Sequence, residues 1–303
     1  MDILLFDMDG VLIKPLAYHR ALQETVRLAG IATGFGEVLL TEDQIADFEA
    51  IGISSEWHSS ALCMAVMVLQ VQGGVVSQNG NYLNLEDLFR AIAAQPIQDS
   101  ALHRGQSAVE WLAASYDLPG DHASDLVAES ESIQDSPTLN WFQELILGSK
   151  NYKSIYQKQP KFQIESYLMQ YDESQLSGYN AEQVLKWAQV SGHGAAIMTN
   201  RPSRGPSNFA GMPDAELGSS LVGLADLPLV GKGEILWLAA HTGQGVESFS
   251  KPKWKHAMAA ILVASGWPLE DSLDFIRLQP SDWHNSMLIY LHDSKVTVFE
   301  DTP

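Results

Sequence analysis

The sequence predicts an α/β fold: a parallel sheet whose first strand is followed by a long, mostly helical inserted domain. Short runs of apolar residues, each ending in polar residues, occur at positions 3–6, 195–198 and 296–299. Helical periodicity precedes the second and third runs, as in the crossovers of parallel sheets. Between residues 16 and 178 strand signals are scarce, while helical patterns recur.

The first strand is predicted at residues 3–6, because the apolar run ILLF is closed by the turn sequence DMDG. Asn180 is the predicted N-cap of the helix that leads to the second strand. The third strand, VTVF at 296–299, follows a helix that ends at Gly266 and is likewise predicted to be buried.

The inserted region is predicted to form several amphipathic helices separated by Gly- and Pro-containing turns. These helices cover residues 16–29, 85–94, 107–115 and 136–147, and a further one begins at Glu56. We therefore predict a core formed by residues 1–14 and 180–303, with residues 15–179 forming a separate helical domain.

The composition excludes several classes of function. The chain has 303 residues, with 18 Lys+Arg against 37 Asp+Glu, and its net charge of −19 opposes binding to nucleic acid or to an anionic membrane. The single cysteine, Cys63, rules out a disulfide framework and a cysteine-rich zinc site. No targeting segment is recognised, and the longest apolar stretches fall short of the ~20 residues of a membrane span. We expect a cytoplasmic protein.

Polar residues follow each predicted strand, and in open α/β sheets that edge binds ligands. Asp7 and Asp9 share the turn after the first strand. Such a pair suits phosphoryl transfer, in which one carboxylate attacks phosphorus and the other gives a proton to the leaving oxygen. A pair of acids that only makes turn hydrogen bonds is the alternative. A calcium loop is excluded, because its twelfth position is Tyr18 and not a glutamate.

Three further positions suit the same chemistry. The hydroxyl of Thr199, with the backbone N–H groups that follow, can hold a phosphoryl oxygen. The ammonium of Lys251, just before a helix, can cancel charge in the transition state. Asp301 can complete a Mg²⁺ site with Asp7 and the Asp9 carbonyl. The alternative for each of these residues is a purely structural role. Asn200 and Arg201 are candidates for contact with the substrate.

Taken in order, strand-DMDGVL, strand-TN, KP before a helix and strand-ED resemble the four motifs of the haloacid dehalogenase superfamily. The resemblance covers roughly residues 1–14 and 180–303. It implies a Rossmann-like core and identifies residues 15–179 as a helical cap domain, of the type inserted between the first two motifs.

The resemblance also implies a role for each motif residue. Asp7 would be the nucleophile that becomes an aspartyl phosphate, and Asp9 the general acid and then base. The substrate phosphate would be held by Thr199, Asn200 and Lys251. The metal ligands would be Asp7, Asp9, Asp301 and, in support, Glu300. Lys253 and Lys255 are alternatives to Lys251.

The implied function is a Mg²⁺-dependent phosphatase of a small phosphorylated metabolite, because members that cleave carbon–halogen bonds or phosphonates lack an acid at the position of Asp9. A phosphomutase and a non-catalytic protein that binds a metabolite or partner are the alternatives. Members of this superfamily continue beyond the fourth motif, so the resemblance predicts further sequence after Pro303. The sequence does not indicate an oligomeric state.

Overall fold

The computed structural model describes residues 1–74, 84–96, 100–206, 211–278 and 291–301. The chain divides into two compact units. The first, which we call the α/β unit, contains Met1–Pro15 and Tyr171–Pro303, and the second, the helical unit, contains Leu16–Gln170. Among the described residues, no helix combines the length and the apolar character that crossing a membrane requires.

The helical unit contains nine described helices. They are α1 (Ala17–Thr33), α2 (Glu42–Ala50), α3 (Glu56–Gln72), α4 (Glu86–Ala93), α5 (Ala101–Ser115), α6 (Asp121–Ala128), α7 (Pro137–Leu147), α8 (Ser149–Tyr156) and α9 (Tyr167–Tyr171), of which α9 runs one residue into the α/β unit. Helix α3 packs against α1, α5, α6 and α7. It is buried along most of its length, as its nearly continuous apolar sequence requires.

The α/β unit alternates strands and helices. Its strands are β1 (Asp2–Phe6), β2 (Ile13–Lys14), β3 (Glu173–Ser174), β4 (His193–Met198), β5 (Leu229–Val230) and β6 (Lys295–Phe299). Its helices are α10 (Gly178–Ala188), α11 (Asp214–Leu221), α12 (Lys232–Thr242), α13 (Trp254–Ala264) and α14 (Leu269–Arg277), with a short 3-10 helix at Val246–Ser248. The predicted α/β class with a parallel sheet is therefore confirmed.

The main sheet has the strand order β5-β4-β1-β6, and all its neighbouring strands run parallel. Its two faces are covered by different helices, because alternate residues of a strand point to opposite sides. Ile3 and Leu5 pack with apolar residues of α12, α13 and α14, whereas Phe6 packs with residues of α10 and α11. Helices thus cover both faces of the sheet, as parallel sheets require.

Two details of the sheet differ from the sequence prediction. The strand predicted as buried at 296–299 is β6, in which Val296, Val298 and Phe299 are 37%, 49% and 41% exposed. Among the described strands, β6 pairs with β1 alone and so forms an edge of the sheet. The prediction missed β5, because two residues are too short a run to give a periodic signal.

The return of the chain into the α/β unit also differs from the predicted position. The structure places it at Tyr171 and not at residue 180. The reason is a short antiparallel ribbon, in which Ile13 pairs with Ser174 and Lys14 with Glu173. The N-cap of α10 is Ser177 and not the predicted Asn180. The Ser177 hydroxyl accepts a hydrogen bond from the Asn180 N–H, so the helix begins at Gly178.

Candidate functional site

Three strands of the main sheet end within one residue of the same level, and this brings distant parts of the sequence together. The register pairs Phe6 of β1 with Ile197 of β4 and with Phe299 of β6. Strands β1 and β6 end at this level and β4 ends one residue beyond it, so Asp7, Glu300 and Thr199 each directly follow the carboxyl end of a strand. Ligands bind at this edge of open parallel sheets.

The turn after β1 is closed by its own backbone. The Leu12 and Ile13 N–H groups donate to the Met8 carbonyl, and the Gly10 N–H donates to the Ile13 carbonyl. Gly10 adopts a φ of +77°, in the left-handed region that favours glycine. A Cβ at Gly10 would also lie 2.4 Å from the Asp301 Oδ2 atom, so the absence of a side chain lets Asp301 approach the turn.

Asp7 is buried and lies between a cation and other acids. Its Oδ1 atom accepts a hydrogen bond from the Met8 N–H at 2.7 Å and lies 2.6 Å from the Lys251 Nζ atom. Burial raises the pKa of Asp7 to about 6; the Glu300 carboxyl adds to this rise, and Lys251 opposes it. The Asp7 carboxylate thus has an orienting hydrogen bond and a cationic partner.

Lys251 reaches this edge from the loop before α13. Its Nζ atom contacts Glu300 at 3.1 Å as well as Asp7. Its backbone N–H donates to the Asn200 Oδ1 atom at 3.4 Å, so Asn200 links the end of β4 to the lysine loop. Of the alternative lysines, Lys253 lines the cavity described below, and Lys255 lies over the Phe249 ring at 4.4 Å.

Three carboxylates form an acidic cluster beside Lys251. Asp7, Glu300 and Asp301 each offer an oxygen, and these oxygens lie within 4.8 Å of one another. Mg²⁺ takes oxygen ligands, typically one or two carboxylates together with several waters, and this cluster can supply them. The donor chemistry of these residues therefore fits the metal that the sequence predicts. The Asp9 side chain is not part of this cluster, and the sequence prediction used its backbone carbonyl.

A cavity of about 650 Å³ opens at this edge of the sheet. Every residue to which the resemblance gives a catalytic, phosphate-binding or metal-binding role lines it, whereas the candidate substrate contact Arg201 and the alternative lysine Lys255 do not. The lining residues are Asp7, Asp9, Met198, Thr199, Asn200, Lys251, Pro252, Lys253, Ala257, Val298, Glu300 and Asp301. Its volume is that of a pocket for a small molecule. Acidic and basic residues lie on its wall together with Thr199, so it can take a polar, charged ligand.

Asp9 has a partner that the sequence analysis did not predict. The Arg201 Nε atom donates to both carboxylate oxygens of Asp9, at 2.8 and 3.0 Å, and its Nη2 atom lies 2.6 Å from Asp9 Oδ1. The Nη2 atom also donates to Asp172 Oδ2 at 2.9 Å. The sequence makes Arg201 a candidate for substrate contact, but in the structure its guanidinium bonds two carboxylates of the protein.

The fold thus brings the predicted site residues together. The sequence analysis missed Asp172, and it missed the pairing of Arg201 with Asp9 and Asp172. Asp172 gave no usable signal, because a single acid in a stretch without clear periodicity is ordinary for a solvated loop. Arg201 is adjacent to the Thr199-Asn200 motif, but its partner Asp9 is 192 residues away in the sequence. Only the fold brings them together.

Comparison with known proteins gives a likeness in fold alone. The chain matches no protein-family model, and none of the curated proteins matches it in sequence. One X-ray structure, solved as a structural genomics target, is similar to it with a TM-score of 0.62 and 14% sequence identity. The match covers 98% of this chain and 89% of that one, so the architecture is shared over nearly the whole length.

Proposed function

We propose that this chain is a Mg²⁺-dependent phosphatase that hydrolyses a small phosphorylated metabolite through an aspartyl phosphate on Asp7. We further propose that it is a haloacid dehalogenase-like hydrolase, with the helical unit as the inserted cap domain. One observation carries the proposal: Lys251 Nζ lies 2.6 Å from Asp7 Oδ1 at an edge where the Glu300 and Asp301 carboxylates also converge. Thr199 lines the same cavity.

In the first step, an Asp7 carboxylate oxygen attacks the phosphorus of the substrate, and the bond from phosphorus to the leaving oxygen breaks. Asp9 gives the leaving oxygen its proton. The Met8 N–H, which donates to Asp7 Oδ1, orients the nucleophile for this attack. The product is an alcohol and a phosphate group carried on Asp7.

In the second step, water attacks the phosphorus, Asp9 accepts a proton from that water, and the bond between phosphorus and Asp7 breaks. Inorganic phosphate leaves, and Asp7 and Asp9 return to their starting states. The same two carboxyl groups thus serve both steps, with Asp9 alternating between acid and base.

Charge must be balanced in both steps, because the nucleophile and the phosphate are both anionic. The ammonium of Lys251 and the hydroxyl of Thr199 would stabilise the phosphoryl oxygens. Mg²⁺ would be held by Asp7, Glu300, Asp301 and the Asp9 carbonyl, and when bound it would neutralise charge between the acids and the phosphate.

A panel of phosphate esters tests this proposal. With Mg²⁺ the wild type should release phosphate, and a chelator should abolish the release. Asp7→Asn should lower the rate by about a thousandfold or more, because it removes a covalent nucleophile. Asp2→Asn, at the exposed opposite end of β1, should leave the rate unchanged.

If Asp7→Asn were as active as the wild type, Asp7 could not be the nucleophile. Analysis of the products separates the alternatives. Transfer of the phosphate to another position of the substrate would indicate a phosphomutase, and metal-dependent binding of an ester without turnover would indicate a binding protein.

A further inference from the structure

Arg201 is buried at the carboxyl edge of the sheet, with its side chain only 2% exposed. Its backbone is fixed on both sides: the Arg201 N–H donates to the Thr199 hydroxyl at 3.1 Å, and the Arg201 carbonyl accepts from the Lys232 N–H at 2.9 Å. A charge in this position is costly unless it is paired and hydrogen-bonded. The two carboxylates that meet Arg201 supply that pairing.

The two partners of Arg201 differ in burial. The Asp172 side chain is fully buried, whereas that of Asp9 is 39% exposed and lines the cavity. Arg201 itself is not among the described residues that line the cavity. Asp172 therefore holds the guanidinium from inside the fold through the Nη2 atom, and the Nε and Nη2 atoms together face Asp9.

We propose, as an extension of the phosphatase function proposed above, that Arg201 is a positioning residue for Asp9 and that Asp172 holds Arg201 in place. A planar guanidinium bonds an ionised carboxylate through two parallel N–H groups and fixes its orientation as well as its position. In the protonated form that the first step needs, Asp9 would keep its bond to Arg201 through the oxygen that carries no proton. Asp9 has a short side chain on a turn that faces an open cavity, and without Arg201 its carboxylate would turn freely. Arg201 thus acts on the reaction through Asp9 and not through the substrate.

This role predicts a dependence on the leaving group. An alkoxide leaves only with a proton, so alkyl phosphates need a well-placed Asp9, whereas dinitrophenolate leaves without one. The value of kcat/KM covers the steps up to transfer of the phosphate to Asp7. Loss of Arg201 should therefore lower kcat/KM for alkyl phosphates and spare it for dinitrophenyl phosphate.

The test uses the double variant Arg201→Gln/Asp172→Asn, which leaves no unpaired buried charge behind. We expect kcat/KM for an alkyl phosphate to fall about 100-fold, and that for dinitrophenyl phosphate to change less than about threefold. Arg204→Gln, a substitution of a neighbouring exposed arginine, should change neither value. If the double variant does not fold, Arg201→Lys gives the same test, since an ammonium retains the charge but lacks the paired N–H groups.

A mutant cycle distinguishes action through Asp9 from a direct contact with substrate. In an Asp9→Asn background, the further change Arg201→Gln/Asp172→Asn should cost alkyl phosphates nothing more, because the group that Arg201 positions is already gone. Three results would overturn the proposal while leaving the phosphatase function intact. They are an equal loss of kcat/KM on all esters, additive losses in the mutant cycle, and no loss of kcat/KM at all. A wild type that hydrolyses no ester would overturn both.

Discussion

At the scale of single residues, charge balance around Asp7 sets what the site can do. The buried carboxyl of Asp7 contacts Lys251 directly, and Lys251 also contacts Glu300. A phosphate that approaches Asp7 would bring further negative charge, which Lys251 is placed to offset. The other two lysines of the same segment, Lys253 and Lys255, have no described contact with Asp7.

We predict that Lys251→Ala lowers kcat/KM for phosphate esters by about 100-fold, because it removes the cation nearest the nucleophile. Lys253→Ala is the matched control, since Lys253 also lines the cavity and is exposed. It should cost less than about threefold. Steady-state kinetics on one good ester measure both effects. A larger loss in Lys253→Ala than in Lys251→Ala would show that Lys253, and not Lys251, has this role.

The site residues that the sequence could predict are those that follow apolar strands or stand in short motifs. Asp7, Thr199 and Glu300 follow such strands, and Lys251-Pro252 precedes a helix. The Arg201–Asp9 pair could not be predicted, because pairing between such distant positions depends on strand order and register. The contact between the Asn200 side chain and the Lys251 N–H was missed for the same reason.

At the scale of elements, the turn that follows Asp7, the proposed nucleophile, lies against Asp301. Gly10 fits this turn for two separate reasons: its positive φ, and the absence of a Cβ that would meet the Asp301 carboxylate. Gly34, the C-cap of α1, has the same φ of +77° but no atom within 4 Å of an added Cβ. The two glycines therefore separate the backbone cost from the contact with Asp301.

We predict that Gly10→Ala and Gly34→Ala each lose about 1–2 kcal/mol of stability from the left-handed backbone. Only Gly10→Ala should also weaken Mg²⁺ binding, by about tenfold or more, because the new methyl group displaces Asp301. Denaturation and calorimetric Mg²⁺ titration of both variants measure the two effects. Unchanged Mg²⁺ affinity in Gly10→Ala would show that Asp301 is not needed for the metal.

The sequence predicted those elements whose pattern is long or uniformly apolar. Strands β1 and β4 and helices α1, α3 and α7 are close to their predicted positions. Helices α2, α6 and α8 were missed, because each is short and its apolar residues are few. The exposure of β6 could not be predicted, since a strand's apolar sequence does not reveal whether another element covers it.

At the scale of the whole molecule, stability and pH are linked through buried groups. His256 of α13 is fully buried, and its Nε2 atom hydrogen-bonds the Val230 carbonyl at the end of β5. Burial lowers the pKa of His256 to about 4. The imidazole is therefore neutral in the folded protein at pH values where the unfolded chain already binds a proton.

We predict that this histidine destabilises the α/β unit in mild acid. Above about pH 7 His256 is unprotonated in both the folded and the unfolded state, so it adds no pH dependence. Between about pH 6.5 and 4 the unfolded state binds a proton at His256 that the folded state does not, and the free energy of unfolding falls by about 3 kcal/mol in total. His256→Gln, which keeps a donor for Val230, should remove this part of the acid slope. Hydrogen exchange of β1 and β4 amides as a function of pH measures it. An identical slope in wild type and variant would mean that His256 titrates normally in the folded state.

The proposed mechanism requires that Asp7 carries the phosphate, and chemical trapping tests this most directly. Turnover in the presence of Mg²⁺ is quenched with borohydride, which reduces an aspartyl phosphate to homoserine, and the peptides are then sequenced by mass spectrometry. The proposed mechanism predicts homoserine at position 7, dependent on both substrate and Mg²⁺ and absent in Asp7→Asn. An active protein that yields homoserine at a different aspartate, or at none, would contradict it.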